Sequence, residues 1–313
     1  MTSKLWAAIV MRFMRAILTI FVVITLVFFL SRAIGDPVSF YAPIDSTQEE
    51  IDFLKNKLGF DRPLIVQYGD FLYKAVQLDF GKSFTASRPA WDVVTERLQA
   101  TVELGVSALI IGIVIGIPLG VVAAVRRGGI VDFSSRVIAL LGQAVPNFWL
   151  GLILIFLVSV KLGWLPTGGR GDFQQLILPA VTLGTFPAAA IMRFTRSSML
   201  EALQQDYIRT ARSKGLTQRV VIMKHALRNS LLPVVTLMGL QVAGILSGSI
   251  IIETVFAWPG LGRLIIQAII GTDFNIIQAA VFMTTIWIVF ANLIVDISYM
   301  FLDPRIRTGG GSV

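Results

Sequence analysis

The 313-residue sequence contains no cysteine and a single histidine, His225. A disulfide scaffold and a Cys-ligated zinc protein are therefore excluded, and no Ser-His-Asp or Cys-His catalytic arrangement can be assembled around more than that one imidazole. Charge is also scarce. Only 15% of residues are charged, against 55% hydrophobic, where a soluble domain carries about 25% charged residues. A disordered chain is excluded by the same numbers, and a polytopic membrane protein is what they fit. The net charge of +8 would suit a nucleic-acid partner, but only if the cations formed a patch. They are distributed by loop instead.

About 20 apolar residues in a helix cross a hydrocarbon core of about 30 Å. Six stretches meet that length approximately: Ile9 to Leu30, Thr101 to Val125, Val137 to Val160, Leu176 to Ile191, Leu231 to Ile252, and Ile276 to Phe301. Pro179 and Pro187 interrupt the fourth, which is expected as a kinked helix reaching Met199. The first follows Lys4, Arg12 and Arg15, like the charged start of a secretory signal, yet it is long and Ser31 to Gly35 lacks a clear small-x-small cleavage site. It is read as an uncleaved anchor. Of the 27 Lys and Arg, 16 fall on the side holding both termini, together with only Asp132, Glu201, Asp206 and Asp303 as acids. The positive-inside rule makes that side, and both termini, cytoplasmic.

Residues 31–97 then form an extracytoplasmic loop subdomain, carrying ten acidic and eight basic residues. Asp45 to Glu50 reads as a helix start, Ile51, Leu54 and Leu58 give helical spacing, and Gly59 suits the C-terminal cap. Pro63 to Val76 reads as a second amphipathic helix. Two roles fit this subdomain: packing over the membrane domain, or docking a partner and shaping solute access. Gly81-Lys82-Ser83 looks like the end of a phosphate-binding loop, but the first glycine of that motif would fall at Val76 and no strand precedes it. With no nucleotide motif elsewhere, any ATP must be handled by another polypeptide.

Residues 199–229 carry the most information. Leu200, Leu203, Tyr207 and Ala211 recur at helical spacing, Gly215 suits a C-terminal cap and Thr217 the N-cap of a following helix. This is a helical hairpin outside the bilayer, because a central Arg or Lys costs at least about 2.5 kcal/mol to insert. It is either a solvated basic hairpin or a docking surface where small Ala211 and Gly215 admit a partner.

Arg209-Thr210-Ala211, Gly215 and His225-Ala226-Leu227 resemble the cytoplasmic EAA loop of permease subunits in binding-protein-dependent, ATP-driven importers. Arg209 and Thr210 replace the first two letters of that pattern, and Arg228 stands where it has proline. Asp206 to Gly215 and His225 to Asn229 are similar to the variant found in the dipeptide, oligopeptide and nickel branch. So are Leu58 to Leu64, Asp79-Phe80-Gly81, Val145 to Trp149, Ile252 to Arg263, Asn292 to Asp296 and Leu302 to Arg307. The resemblance implies an all-α type I ABC importer permease with six transmembrane helices in a bacterial inner membrane. It implies a second homologous permease, two cytoplasmic ATPases and an extracytoplasmic solute-binding protein as partners. ATP and Mg would sit in the ATPases, with no cofactor or metal on this chain. Arg209, Thr210, Ala211 and Gly215 would surround the coupling helix that fits an ATPase groove, braced by His225 and Leu227.

On this reading the chain comprises an anchor helix (1–30), the loop subdomain (31–97), a five-helix core (98–307) holding the coupling hairpin (199–229), and a flexible tail (308–313). No covalent chemistry is required, so the chain is a translocation subunit and not an enzyme. Short peptides are the expected substrate, nickel or a nickel chelate the alternative, and other solutes, such as glutathione or sugar conjugates, are carried by relatives. An ion-coupled secondary transporter is the alternative of another class, but few midplane charges and no internal repeat are found for it. Gly112, Gly116 and Gly120, with Pro118 among them, suit close helix packing or a hinge. Gly244 and Gly248 repeat the theme. Glu103, Glu253 and Asp296 are expected near span ends, in interfacial pairs rather than a proton relay.

Overall fold

The computed structural model describes residues 2–33 and 46–302. The tail 308–313, the loop start 34–45 and most of Leu302 to Arg307 lie outside the described residues. Among the described residues the chain is helical and has no strand beyond an isolated bridge between Lys82 and Pro89. The helices are α1 (Thr2–Ala33), α2 (Gln48–Leu58), α3 (Leu64–Val76), α4 (Ala90–Val125), α5 (Ile130–Ala144), α6 (Asn147–Leu154), α7 (Phe173–Leu203), α8 (Asp206–Ser213), α9 (Leu227–Val255), α10 (Leu261–Ile270) and α11 (Phe274–Leu302). π-helical turns extend α6 over Ile155–Lys161 and lead into α9 over Val221–Ala226.

Four described helices are long and apolar enough to cross a membrane, α1, α4, α7 and α11, and the pair α5 and α6 makes a fifth if counted as one span. The expected span Leu231 to Ile252 falls inside α9, a 29-residue helix. The run Val137 to Val160 is not one straight helix: α5 and α6 are bent by 103°. Pro146 is the cause, since it lacks an N–H and drives Val145 out of the helical region, to φ −76° and ψ 125°.

The chain divides into two compact units, Met1–Ala100 with Gly260–Phe290, and Thr101–Pro259 with Ala291–Val313. In the first, α2 starts at Thr47 with a reciprocal capping box to Glu50 and ends at Gly59, whose φ of +74° satisfies the last carbonyls. Its core collects Phe80, Val93, Val94, Leu264, Ile276 and Met283. Aromatic rings stitch it together: Phe80 stacks on Trp91 at 5.9 Å and meets Phe282 at 5.2 Å. The Gln278 amide donates to Ser31 Oγ at 3.0 Å, a buried bond that ties α11 to α1.

The loop holding Gly81-Lys82-Ser83 closes over Asp273, which is fully buried. Asp273 Oδ2 accepts from Ser83 Oγ at 2.7 Å, Phe84 N at 2.9 Å, Thr85 Oγ1 at 3.1 Å and Thr85 N at 3.2 Å. Its Oδ1 accepts from Ile276 N at 3.2 Å and so caps α11. The resemblance to a phosphate loop has a structural explanation here: the loop's donors converge on a carboxylate of the chain itself.

In the second unit α4 crosses α7 at backbone contact. A Cβ on Gly116 would lie 2.7 Å from the Ala188 carbonyl oxygen, one on Gly120 2.6 Å from Thr195 Cβ, and one on Gly184 2.7 Å from the Ala108 carbonyl oxygen. The glycine stripe is a packing surface, as small residues at four-residue spacing are in membrane helices. The segment Phe256 to Trp258 folds inward, with both rings buried, and Gly169 N donates to the Phe256 carbonyl at 2.8 Å.

Candidate functional site

The hairpin between α7 and α9 is built from a break in helical phase. α7 stops at Leu203, Gln205 adopts extended angles (φ −75°, ψ 151°), and α8 begins at Asp206, an acid in the first turn where the helix dipole favours it. Because the helix is interrupted, the spacing Leu200, Leu203, Tyr207, Ala211 does not run along one face. Ile208 turns inward instead and Tyr207 turns out, 38% exposed. The core of the hairpin is Ala124, Met199, Ala202, Ile208, Ala211, Val221 and Ala226, with Leu200, Leu203 and Leu227 half-buried against it.

α8 ends as its sequence requires. Gly215 has φ +76°, where side chains with a Cβ are strained, and its N–H donates to the Arg212 carbonyl at 2.9 Å. Thr217 takes the extended N-cap backbone position, but its side chain makes no capping bond. A short α-helical turn, Gln218–Val220, follows, and Val221–Ala226 are π-helical, a geometry that widens the helix by about one residue per turn and recurs at functional sites.

The six residues singled out by the sequence do not form one surface. Arg209 and Thr210 face outward, the Thr210 hydroxyl donating to the Asp206 carbonyl at 3.0 Å. Gly215 is exposed, with open space where a Cβ would go. His225 is half-buried, its carbonyl accepting from Asn229 Nδ2 at 3.0 Å. Ala211 is 5% exposed and Leu227 packs on the same core. The small size of Ala211 therefore serves the close approach of the hairpin's own two arms. The outward face also carries apolar Tyr207, Leu216, Val220 and Met223 among the cations; the sequence reading names Tyr207 only within the helical spacing and passes over the other three as a face. The signal was there: exposed apolar residues inside a basic segment.

A second polar cluster was missed entirely. Asp132, at the start of α5, is 1% exposed. It takes a two-pronged bond from Arg196 on α7, Nε to Oδ1 at 2.6 Å and Nη2 to Oδ2 at 3.0 Å, and a third from Gly128 N at 3.0 Å. Arg136 lies 3.6 Å away, one turn along α5. The pair ties the α4–α5 turn to the helix that leads into the hairpin. Of the membrane-edge acids, Glu103 pairs with Arg170 at 2.7 Å. Glu253 is fully buried, and its Oε1 accepts from the Thr101 hydroxyl at 2.7 Å. Asp296 lies within α11.

Long apolar helices crossing at glycine, with an amphipathic hairpin packed against the ends of α4 and α7, define a polytopic membrane protein. The chain belongs to the family described as the binding-protein-dependent transport system inner membrane component, which it matches over residues 116–308, and residues 5–105 match the N-terminal part of the membrane component of such systems. It is a permease of the ABC importers, of the branch that serves peptides and nickel. It is 41% identical over 300 residues to the glutathione transport system permease protein GsiC of Escherichia coli strain K12, covering 96% of this chain and 98% of that one. The GsiC proteins of Shigella flexneri serotype 5b and Shigella boydii serotype 4 stand at 41% and 40% over the same length. The fold is shared with a chain of the MetNI methionine ABC transporter in an inward-facing conformation, with a TM-score of 0.58 and 21% identity over 67% of this chain and 96% of that one. An amino acid ABC transporter crystallised with histidines gives 0.54 and 15%, over 67% of this chain and 94% of that one.

Proposed function

We propose that this chain forms half of the translocation path of an importer for short peptides and couples it to cytoplasmic ATPases through the hairpin 199–229. The observation that carries the reading is the division of that hairpin into two faces. Its inward face, Ile208, Ala211, Val221 and Ala226, is fixed to the ends of α4 and α7, so a displacement of α8 is passed to two spans. Its outward face offers Arg209, Thr210, Gly215 and apolar Tyr207 and Leu216 to a partner. A permease needs two discrete arrangements whose populations its partners bias, and closure of the ATPases would supply the bias.

Both termini and the hairpin lie in the cytoplasm on this proposal, and residues 31–97 form the extracytoplasmic subdomain. A second permease completes the path, and a solute-binding protein delivers and selects the solute. The name shared by the curated relatives supports a short peptide, since glutathione is a γ-linked tripeptide.

The test is purification from the native membrane in mild detergent, with co-purifying subunits identified and ATP hydrolysis measured with and without the binding protein and glutathione or dipeptides. A sister permease and two ATPases, with peptide-stimulated hydrolysis, are expected. Gly215→Trp and Arg209→Glu should leave the chain in the membrane and lower ATPase recovery. Full assembly and transport in Arg209→Glu, which alters an exposed side chain only, would refute the docking role.

A further inference from the structure

At the end of α4 the structure holds an open groove of about 790 Å³ between that helix and the second arm of the hairpin. Its floor is apolar, with Val122, Val125, Val220 and Met223 between 38% and 54% exposed. Its rim is basic: Arg126, Arg219 and Lys224, with no carboxylate in the lining. Two features say what covers it. Val125 is the last residue of a membrane-crossing helix, and Arg126 and Arg127 follow directly, which places the groove at the boundary between acyl chains and headgroups. The floor also continues along α4 as an exposed apolar stripe, Ile110, Val114, Pro118 and Val122, at four-residue spacing.

An occupant must therefore satisfy two chemistries in one molecule. Free phosphate or a soluble anion would meet the three cations and leave the apolar floor in water. A neutral lipid would cover the floor and leave the cations unmatched. We propose that the groove holds an anionic phospholipid, its phosphate among Arg126, Arg219 and Lys224 and one acyl chain along the Val122 to Ile110 stripe. Basic pockets between membrane helices on the cytoplasmic side bind such headgroups, and each cation near the surface strengthens the attraction about fivefold. The lipid would then bear directly on Val220 and Met223, in the arm that braces α8.

The chain has no cysteine, so Met223→Cys in the full-length permease gives a single labelling position at the groove. A fluorophore there, in nanodiscs of phosphatidylcholine with a fixed fraction of nitroxide-bearing lipid, reports which lipid lies alongside. Nitroxide phosphatidylglycerol should quench it well beyond nitroxide phosphatidylcholine at equal mole fraction. That preference should fall about fivefold with each of Arg126→Gln, Arg219→Gln and Lys224→Gln, and Arg219→Lys should keep it. These positions are exposed, and an unchanged helical circular-dichroism signal verifies the fold of each variant. Equal quenching by the two lipids would overturn the proposal. So would loss of the preference on adding soluble glycerol phosphate, which marks a phosphate site without a lipid. Loss of quenching when the ATPase subunits are bound would assign the groove to protein docking and overturn it equally.

Discussion

Replacing Asp273 should release the loop 81–89 from the start of α11 while the rest of the first unit stays folded. Its Oδ2 gathers four donors at 2.7 to 3.2 Å, two of them hydroxyls that can reorient and two of them backbone N–H groups that cannot. A hydrogen bond to a charged acceptor contributes about 1.5–3 kcal/mol and one to a neutral acceptor about 0.5–1.5 kcal/mol. Asp273→Asn removes the charge and must turn its NH₂ toward either the loop donors or Ile276 N. Non-additivity and partial solvent access reduce the sum of these changes to about 2 kcal/mol. Asp273→Ala removes the acceptor for both backbone N–H groups and uncaps α11, at about 4 kcal/mol. Every 1.4 kcal/mol is a factor of ten in the open population, so Asn should open the loop roughly 30-fold more often and Ala about 10³-fold. Lys82 is exposed within the loop and is followed by Ser83, which gives trypsin its site there; the bond after Arg88 leads into Pro89 and is not cut. Cleavage at Lys82, followed on the purified full-length chain at low protease, reads the open population when reclosing outpaces cutting. Wild-type cleavage rates in Asp273→Ala would refute the anchor, because no other side chain receives these four bonds.

Other predictions separate local from distant causes. In the α4–α7 crossing, Gly116→Ala and Gly120→Ala should each lower stability by about 1–3 kcal/mol through overpacking. Gly112→Ala, whose Cβ would come no closer than 3.3 Å, should cost less; equal melting temperatures in detergent for the three would sink the packing account. Asp132→Ala leaves Arg196 without its buried partner and should cost roughly 3–5 kcal/mol, whereas Asp132→Leu with Arg196→Met should recover most of that loss. A double variant no better than the single one in the same melts would show that the charge pair is not what matters. Gly215→Ala should cost about 1–2 kcal/mol from its positive φ and Gly215→Asn less; hydrogen exchange of the α8 amides measures both, and equal protection in the two variants would contradict the left-handed cap.

The parts of this fold legible in the sequence are those whose cause is local. The Thr47 to Glu50 box and Gly59 mark the ends of α2 within a dozen residues, and glycines four apart on α4 announce a close crossing before the partner helix is known. Long apolar runs give α1, α4, α7 and α11 by length alone. What escaped reading is non-local or depends on phase. Ser83 and Asp273 are 190 positions apart, and Asp132 and Arg196 are 64 apart. No periodicity links such residues, and a buried carboxylate looks like any loop acid until the chain closes on it. Pro146 was a visible breaker inside an apolar run, yet run length outweighed it and the 103° bend between α5 and α6 was missed. At the hairpin, periodicity was carried across Gln204 and Gln205, where the helix stops, so Tyr207 was placed inside in place of Ile208.

On the proposed coupling role, the same phase change would let the hairpin act as a lever. A helix of eight residues is marginal on its own, since nucleation costs more than so few hydrogen bonds return. α8 is therefore held by what Ile208 and Ala211 bury, and those partners are Ala124 on α4 and Met199 on α7. Above that contact α7 is fixed twice more, to α4 at Gly116 and Gly120 and to α5 through Arg196 and Asp132. Close-packed interfaces switch between discrete arrangements and do not deform continuously. On the proposed coupling role, a push on Arg209 or Gly215 would reach the bundle through small residues and one buried ion pair, not through soft side chains. Alanine and glycine at these positions are then mechanical necessities: each larger residue would widen a contact that has to move as a unit.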